Sequence, residues 1–302
     1  MRKLITILLI LFSFAASSQV IRANRYYVPV ASCNYFGSDS IPAALYSFRN
    51  VNPCRYSGNC VKIRRASDNT TSNFGFVSNY VDTAAIKTFI GSSDAFVDTW
   101  YNQGSRGSVI DVKQTTTTKQ PKIATAGALI YAKTGYIGVQ GDGTNDLIFS
   151  DSTLKSVGAT PFSLILVSKR TTTAGVGMGV SNGANVQLNA VINQYPTING
   201  VAAYYGSSQI TASVGTTNTN LNIVGGYFNS SDFMASDGTS TATTTNTVGA
   251  TNYNNITLFG YRRNGGVEVY TPGIISEAIG YAVDMRPSRT TIEASIKSYY
   301  GL

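Results

Sequence analysis

From Gly104 onward, the sequence consists of short apolar segments separated by Gly, Asn, Asp and Ser residues, which favour turns. Short strands at regular spacing, with turn residues between them, are typical of β-sandwiches and barrels. The pattern therefore predicts an all-β fold for this part of the chain. The clearest predicted strands are PFSLILVSKR, VQLNAVI, LNIVGGYF, NITLFGYR and IISEAIGYAV.

The first half carries strand patterns as well. CVKIRRASD alternates between apolar and polar residues and ends in a polar turn, as a strand with one buried face does. AFVDTWYNQ has an apolar start and a polar exit, which indicates a buried strand that leaves the core. PAALYSFRN fits either one or two helical turns or an extended segment.

Two short helices interrupt this β pattern. The segment after Val81 has helical character, with Asp82 as the N-cap and Gly91 after its last apolar residue. The C-terminal segment has Ser288 as its N-cap and ends before Gly301, with two Ile residues on one face. We therefore predict a β-sandwich with short helices, one of them at the C-terminus.

The N-terminus has the features of a secretory signal: two basic residues, an apolar segment and then small residues. The apolar segment spans about 11 residues, fewer than the roughly 20 that a membrane-spanning helix needs. We predict a signal peptide over residues 1–18, cleavage between Ala16 and Gln19, and one domain over residues 19–302. The protein is then secreted or held at a cell surface, and an uncleaved anchor is the alternative.

Composition narrows the range of partners. Charged residues make up only 13% of the chain, and Thr, Ser, Asn and Gly supply much of the rest. The net charge of +8 is scattered, whereas nucleic-acid binding requires a clustered basic patch. The sequence therefore argues against nucleic acid as a partner, and no later segment resembles a membrane span.

The chain contains no histidine, which excludes Ser-His-Asp and Cys-His nucleophiles and histidine-ligated catalytic zinc. Carboxylate chemistry remains, above all glycoside hydrolysis by a pair of acidic residues. Only three glutamates are present. We expect Glu277 to have a packing role within its strand and Glu293 to be solvated, while Glu268 could face a cleft.

Three cysteines, Cys33, Cys54 and Cys60, allow three single disulfide pairings. The CRYSGNC segment places Cys54 and Cys60 around a Ser-Gly turn, which favours a disulfide between them and leaves Cys33 unpaired. Their spacing fits no zinc pattern.

The segment DTWYNQGSRG has two interpretations. Trp100 is the only tryptophan of the chain, and a single Trp more often fills a core than it binds a sugar. We therefore favour a core position at the end of a buried strand. In the alternative, Trp100 or Tyr101 stacks on a sugar ring while Asn102 and Arg106 bond to its hydroxyl groups.

The GDGTND segment carries a cluster of oxygen donors. Asp142, Asn145 and Asp146 could bind a structural Ca²⁺ ion, because calcium prefers such hard oxygen ligands. We favour an Asx-type turn between two strands instead. Beyond this alternative, the sequence predicts no cofactor.

The second half resembles the concanavalin A-like lectin and glucanase group, which includes laminin-G-like domains. The residues that carry this resemblance are Gly273, Ile275 and Glu277 in a G-x-I-x-E strand, the GDGTNDLI turn and the terminal YYG. The resemblance implies a jelly-roll sandwich, a fold that serves both binding proteins and enzymes.

The first half resembles the catalytic domain of the family 54 α-L-arabinofuranosidases, through CNYFG, PAALYSFRN, VKIRRASDN and AFVDTWYNQGSRG. The resemblance implies a carbohydrate substrate that contains arabinose. The family's Gly-Gly-Asp-Asn stretch, which carries its acid, corresponds to FGYRRN, where Arg262 stands and no carboxylate is present. We therefore predict no catalytic residue and place Arg262 among the candidate sugar contacts.

These observations favour a secreted carbohydrate-binding or adhesion protein whose partner is a polysaccharide or glycan surface. One alternative is a glycoside hydrolase of α-L-arabinofuranosidase type. The other is a structural or receptor-binding component of a phage particle or cell surface layer, for which a homo-oligomer is expected.

Overall fold

Antiparallel strands joined by turns make up most of the structure, as the sequence pattern predicts. In this computed structural model, one hydrogen-bonded network joins nineteen of the strands in the described residues. The fold is an all-β sandwich with few helices, and the described residues belong to one compact unit. The predicted signal peptide lies outside the described residues. The structure describes residues 34–155, 160–171, 175–181, 189–194, 199–205, 208–215, 219–245, 253–263 and 267–302.

The strands are β1 (Ala44–Ser47), β2 (Val61–Arg65), β3 (Thr71–Phe74), β4 (Phe76–Val77), β5 (Tyr80–Val81), β6 (Ala95–Trp100), β7 (Val112–Lys113), β8 (Lys122–Thr125), β9 (Ala128–Leu129), β10 (Tyr131–Lys133), β11 (Tyr136–Ile137), β12 (Val139–Gly141), β13 (Ile148–Ser150), β14 (Phe162–Lys169), β15 (Val176–Ser181), β16 (Asn189–Gln194), β17 (Asn199–Tyr205), β18 (Ser208–Val214), β19 (Leu221–Phe228), β20 (Asp232–Ser236), β21 (Thr241–Thr245), β22 (Asn255–Leu258), β23 (Gly260–Arg263), β24 (Val267–Tyr270) and β25 (Gly273–Tyr281). The α-helices are α1 (Thr83–Ile90) and α2 (Arg289–Tyr300), and short 3₁₀ segments cover Gly107–Ile110, Thr117–Lys119 and Arg286–Ser288.

Strand β25 has a central position in this network. All of its residues are buried, and it pairs with β1, β12 and β14. A strand that is buried on both faces needs an apolar core on each side. Ile275 and Ala278 belong to the larger of two apolar cores. Ile274 and Ile279 belong to a smaller core, which α2 covers.

The helices begin and end at the predicted residues. The Asp82 side chain accepts a hydrogen bond from the Ala85 N–H at 2.9 Å, and Gly91 follows α1. Ser288 precedes α2 without a side-chain capping bond, and Gly301 ends it in the left-handed conformation. Among the described residues, no helix is long and apolar enough to cross a membrane.

Glu293 on α2 is buried, so the expectation that it is solvated is wrong. Its Oε1 accepts a hydrogen bond from the Tyr227 hydroxyl at 2.9 Å, and its Oε2 pairs with Arg289 at 2.6 Å. The helix turns this face toward the small core, where the two partners satisfy the carboxylate. Its role is therefore to attach α2 to β19.

A buried ion pair joins β25 to the segment after β1. Glu277 is fully buried, and its two carboxylate oxygens accept hydrogen bonds from Arg49 Nε at 3.1 Å and Nη2 at 3.0 Å. The Arg49 guanidinium also lies over an aromatic ring, with its central carbon 3.8 Å from the centre of the Tyr299 ring. This two-bond geometry confirms the packing role expected for Glu277.

We predict that Glu277→Gln lowers the free energy of unfolding by about 3–5 kcal/mol, because it leaves the Arg49 cation buried without its counter-charge. Denaturant unfolding checks this value. Asp232→Asn is the control, since Asp232 and its partner Arg286 are partly exposed. It should cost less than about 1 kcal/mol. Equal losses in the two variants would contradict the prediction.

The predicted disulfide between Cys54 and Cys60 is wrong. Cys60 is a free thiol, fully buried, and its Sγ lies 3.3 Å from the Ser47 carbonyl oxygen. Cys54 is exposed at a turn and is disulfide-bonded. The alternation that leads into β2 directs the Cys60 side chain into the core, away from the turn. Cys33 lies outside the described residues.

The two described cysteines should therefore differ in alkylation. In denatured, unreduced protein, iodoacetamide should label Cys60 and leave Cys54 unmodified, as peptide mass spectrometry would show. In native protein, Cys60 should also resist labelling, because burial raises the pKa of its thiol and excludes the reagent. Labelling of Cys54 without reductant would contradict the assignment.

Candidate functional site

The Trp100 side chain is part of the core. It has no exposed surface, and its ring stacks on Phe48 with a centroid distance of 4.7 Å. The favoured interpretation of DTWYNQGSRG is therefore supported for this residue. The alternative, in which Trp100 stacks on a sugar, is corrected, because a ring without exposed surface cannot contact one.

Asn102 is structural as well. Its Oδ1 accepts from the Leu45 N–H at 2.7 Å, and its Nδ2 donates to the carbonyl oxygens of Ala43 at 3.1 Å and Gly107 at 3.0 Å. The side chain thus attaches β1 to the turn after β6. The Asn102 side chain is buried, and both its oxygen and its nitrogen are hydrogen-bonded within the chain. The predicted sugar contact at Asn102 is therefore wrong. The neighbouring Tyr101 donates its hydroxyl hydrogen to Asn73 at 2.8 Å.

Arg106 and Arg262, two more predicted sugar contacts, meet at the turn after β13. Nη2 of Arg106 lies 3.5 Å from the Ser152 hydroxyl, and Nη1 of Arg262 lies 3.1 Å from Asp151 Oδ1. The Arg262 guanidinium also covers the Phe149 ring at 3.9 Å. The two arginines therefore reach neighbouring residues of one turn, and internal contacts engage both.

The GDGTND segment forms the Asx-type turn. Oδ1 of Asp142 accepts hydrogen bonds from the backbone N–H groups of Thr144, Asn145 and Asp146 at 2.8, 3.1 and 3.2 Å. Oδ2 of Asp146 in turn accepts from the Asp142 N–H at 3.0 Å. The turn alone accounts for these bonds, and calcium binding there stays a prediction. In the part of the chain that the structure describes, no three acidic or cysteine side chains gather as metal ligands do.

The environment separates the pKa values of the two aspartates. Burial raises the pKa of Asp146 to about 7, and the nearby Asp142 carboxylate adds to this. Burial acts in the same direction on Asp142, but the backbone N–H groups outweigh it and keep its pKa below the usual value. Near neutral pH the turn therefore carries one full negative charge and one that is partly titrated.

This turn forms one side of a cleft of about 740 Å³, called the polar cleft, around Arg64, Phe96, Gln120, Lys122, Asp142 and Asp146. Strands β2, β6 and β8 supply Arg64, Phe96 and Lys122, and threonines of the neighbouring loops also line it. The cleft thus presents cations, amides, hydroxyls and carboxyl groups in one space. The sequence pattern indicated the two aspartates, but not the basic side of this cleft.

A second cavity, called the tyrosine pocket, has a volume of about 230 Å³ and lies among Tyr80, Tyr131, Tyr136 and Tyr299, with Arg49 beside them. Among the described side chains, Tyr80 and Tyr131 are the exposed aromatic ones, at 54% and 39% of their surface. Both therefore open onto the same pocket. Strands β5, β10 and β11 and the end of α2 supply the four tyrosines.

The walls of the tyrosine pocket are fixed by internal contacts. The Tyr136 hydroxyl donates to the Tyr299 carbonyl oxygen at 2.6 Å, and the two rings meet edge to face at 5.3 Å. The Tyr80 and Tyr299 rings are nearly parallel, with centroids 6.3 Å apart. Sequence reasoning missed this pocket, because its tyrosines are far apart in the chain and the high tyrosine content was the one available signal.

No family model and no curated protein matches the sequence. The structure is similar to that of a family 54 α-L-arabinofuranosidase soaked with a cyclic sulfate inhibitor, with a TM-score of 0.63 and 12% identity. It is also similar to an arabinofuranosidase complexed with arabinofuranosyl-α-1,2-xylobiose, with a TM-score of 0.60 and 12% identity. Each match covers 84% of this chain and 62% of the other, so the chain spans less than two thirds of these proteins.

At such low identity the similarity shows a shared fold. It confirms the β-sandwich that the sequence predicts and agrees with the resemblance seen in its first half.

We predict that Asp146→Asn stabilises the protein more at pH 8 than at pH 5. The folded state keeps a proton on Asp146 up to about pH 7, whereas the unfolded chain releases it near pH 4. Because the unfolded state then binds fewer protons, this group lowers stability as pH rises between these values. The amide still accepts the Asp142 N–H bond but does not titrate.

Thermal unfolding at the two pH values measures this difference. Asp39→Asn, at an exposed position, corrects for the loss of one acidic charge. A change in melting temperature that is the same at pH 5 and pH 8 would show that Asp146 titrates normally.

Proposed function

We propose that this protein is a secreted carbohydrate-binding protein that holds a sugar ring in the tyrosine pocket. The observation that carries the proposal is the convergence of Tyr80 and Tyr131, the exposed aromatic side chains among those described, on a single pocket. Exposed aromatic rings are costly to hydrate, so their grouping in one concave place indicates a binding role.

The chemistry of the pocket suits a sugar. Tyrosine offers an apolar ring face, which can pack on the C–H face of a sugar ring, and a hydroxyl that can bond to its polar edge. The volume of about 230 Å³ is below the usual range of roughly 300–1,000 Å³ for drug-sized ligands. A single ring of a glycan therefore fits this pocket, with the rest of the chain outside.

The rigidity of the pocket supports the same role. Tyr299 is fixed on the buried Arg49 guanidinium, and Tyr136 is fixed on the Tyr299 backbone. Two of the four aromatic walls are thus in place before the ligand arrives. Such preorganisation saves the entropy that ordering these side chains on binding would cost.

Glycoside hydrolysis of α-L-arabinofuranosidase type is the second candidate, and it draws on Asp142 and Asp146 in the polar cleft. A hydrolytic pair has to flank the glycosidic bond, with its carboxyl groups about 5–9.5 Å apart. Here both carboxyl groups belong to one turn, where Asp146 accepts the Asp142 N–H and Asp142 accepts three others. This arrangement favours a structural turn over a catalytic pair, so binding is our preferred function.

Two finer assignments belong to the same proposal. Within the β-sandwich class, we assign the concanavalin A-like jelly roll, on the sequence resemblance of the second half. The signal-like N-terminus supports a location outside the cell or at its surface.

The proposal is tested on an array of plant and bacterial polysaccharides with protein that begins at Gln19. We expect selective retention, and about three- to tenfold weaker binding for Tyr80→Ala and for Tyr131→Ala, because each ring contributes about 0.5–1.5 kcal/mol. Tyr80→Phe keeps the ring and should keep most of the affinity. Val109→Ala removes exposed apolar surface outside the pocket and is the control.

Absence of binding to every glycan would refute the proposal, as would full binding by the Tyr80→Ala, Tyr131→Ala double variant. Release of reducing sugar from a retained polysaccharide, abolished by Asp142→Asn, would instead support the hydrolase.

A further inference from the structure

Arg64 in the polar cleft is a buried cation held by neutral groups. Its side chain lies on β2 and is 7% exposed. Nε donates to Gln120 Oε1 at 2.6 Å, Nη1 to Asn69 Oδ1 at 2.8 Å and Nη2 to the Thr117 carbonyl oxygen at 3.1 Å. All three acceptors are uncharged, so they orient the guanidinium without neutralising it.

Arg64 therefore differs from Arg49 and Arg289, whose side chains are also largely buried. Arg49 pairs with Glu277 and Arg289 pairs with Glu293, whereas no described carboxylate lies within 4.0 Å of Arg64. Burying a charge without a counter-charge is unfavourable. Burial lowers the pKa of the Arg64 guanidinium below its ordinary value, and the charge of Asp98, which lies beyond ion-pair distance, only partly offsets this effect. An arrangement of this kind indicates a counter-ion that comes from outside the chain.

The guanidinium has donors left for such a counter-ion. Arginine has five N–H groups, and the three bonds described use one on each nitrogen. One N–H therefore remains on each of the two terminal nitrogens. A carboxylate matches this pair of donors, because its two oxygens can accept two parallel bonds from a guanidinium.

Lys122 places a second cation in the same cleft. Its Nζ lies 5.5 Å from the centre of the Phe96 ring, and the Arg64 guanidinium lies 4.6 Å from the same ring. Lys122 pairs with Asp94 at 2.9 Å, but both side chains are about one third exposed. The ammonium group can therefore also contact a ligand, so the cleft offers two cationic side chains opposite the Asp142 and Asp146 carboxyl groups.

The other side chains that line the cleft indicate which kind of anionic ligand it suits. Thr117, Thr118 and Gln140 add hydroxyl and amide groups, and the cleft volume of about 740 Å³ is far larger than a small inorganic anion needs. We infer that the polar cleft binds a uronic acid residue of a glycan, with the sugar carboxylate on Arg64 and its hydroxyl groups on the neutral side chains. The ligand class rests on the proposed glycan binding, but the residues differ from those of the tyrosine pocket.

The test compares trigalacturonate with its fully methyl-esterified form, which has the same size and no charge, by calorimetry at low ionic strength. We expect the wild-type protein to bind trigalacturonate at least tenfold more tightly than the ester. Lys122→Gln should weaken the binding of trigalacturonate threefold or more and leave that of the ester unchanged. Arg64→Lys keeps the charge without the paired donors and should lose tenfold or more.

Lys122→Gln keeps the test decisive if Arg64→Lys does not fold. Lys87→Gln removes one positive charge at an exposed position of α1, outside the cleft, and should leave the affinity for trigalacturonate unchanged.

Equal affinity for trigalacturonate and its ester would overturn the inference. So would displacement of bound trigalacturonate by inorganic phosphate at the same concentration at which free trigalacturonate displaces it. Tyr80→Ala separates the two proposals. If Tyr80→Ala leaves trigalacturonate binding intact and the wild-type protein binds no neutral glycan, the tyrosine pocket is refuted as a binding site. The polar cleft is then supported as a separate one.

Discussion

The buried ion pair between Arg49 and Glu277 is the interaction on which most of the structure depends. Glu277 lies on the strand where the two cores meet, and a buried carboxylate there requires a partner of opposite charge. Arg49 meets this requirement and at the same time supports the Tyr299 ring at the end of α2. One charge pair thereby links β1, β25 and the C-terminal helix, and it fixes a wall of the tyrosine pocket.

The contrast with Arg64 shows how the same side chain serves two purposes. Around Arg49, a carboxylate and aromatic rings satisfy both the charge and the donors, so the residue stabilises the fold. Around Arg64, neutral acceptors fix the position of the guanidinium, and no described carboxylate lies within ion-pair distance of it. The first arrangement is complete within the chain, whereas the second leaves donors that the proposed ligand would use. The tyrosine pocket depends on the first arrangement and the polar cleft on the second, so the two sites can fail independently.

Local sequence patterns predicted the features that local physics determines. The caps of α1, the strand β6 around Trp100 and the Asx turn at Asp142 each depend on residues a few positions apart. The errors concern side chains whose surroundings come from distant parts of the chain. Cys60 is near Cys54 in sequence but enters the core, and Glu293 on a polar helix finds Tyr227 on β19. The tyrosine pocket combines β5, β10, β11 and α2, and no spacing in the sequence connects these elements.

A fold shared with arabinofuranosidases does not by itself indicate a shared reaction, because function depends on the particular side chains at the site. At the stretch that resembles the family's acid motif, Arg262 pairs with Asp151 and covers Phe149, so its charge is neutralised by the chain itself. Tyr80 and Tyr131 keep exposed ring surface, and no described carboxylate lies within ion-pair distance of Arg64. Aromatic ring faces can pack on sugar rings, and a guanidinium with free donors can bind an acidic group. These side chains therefore support the proposed glycan binding.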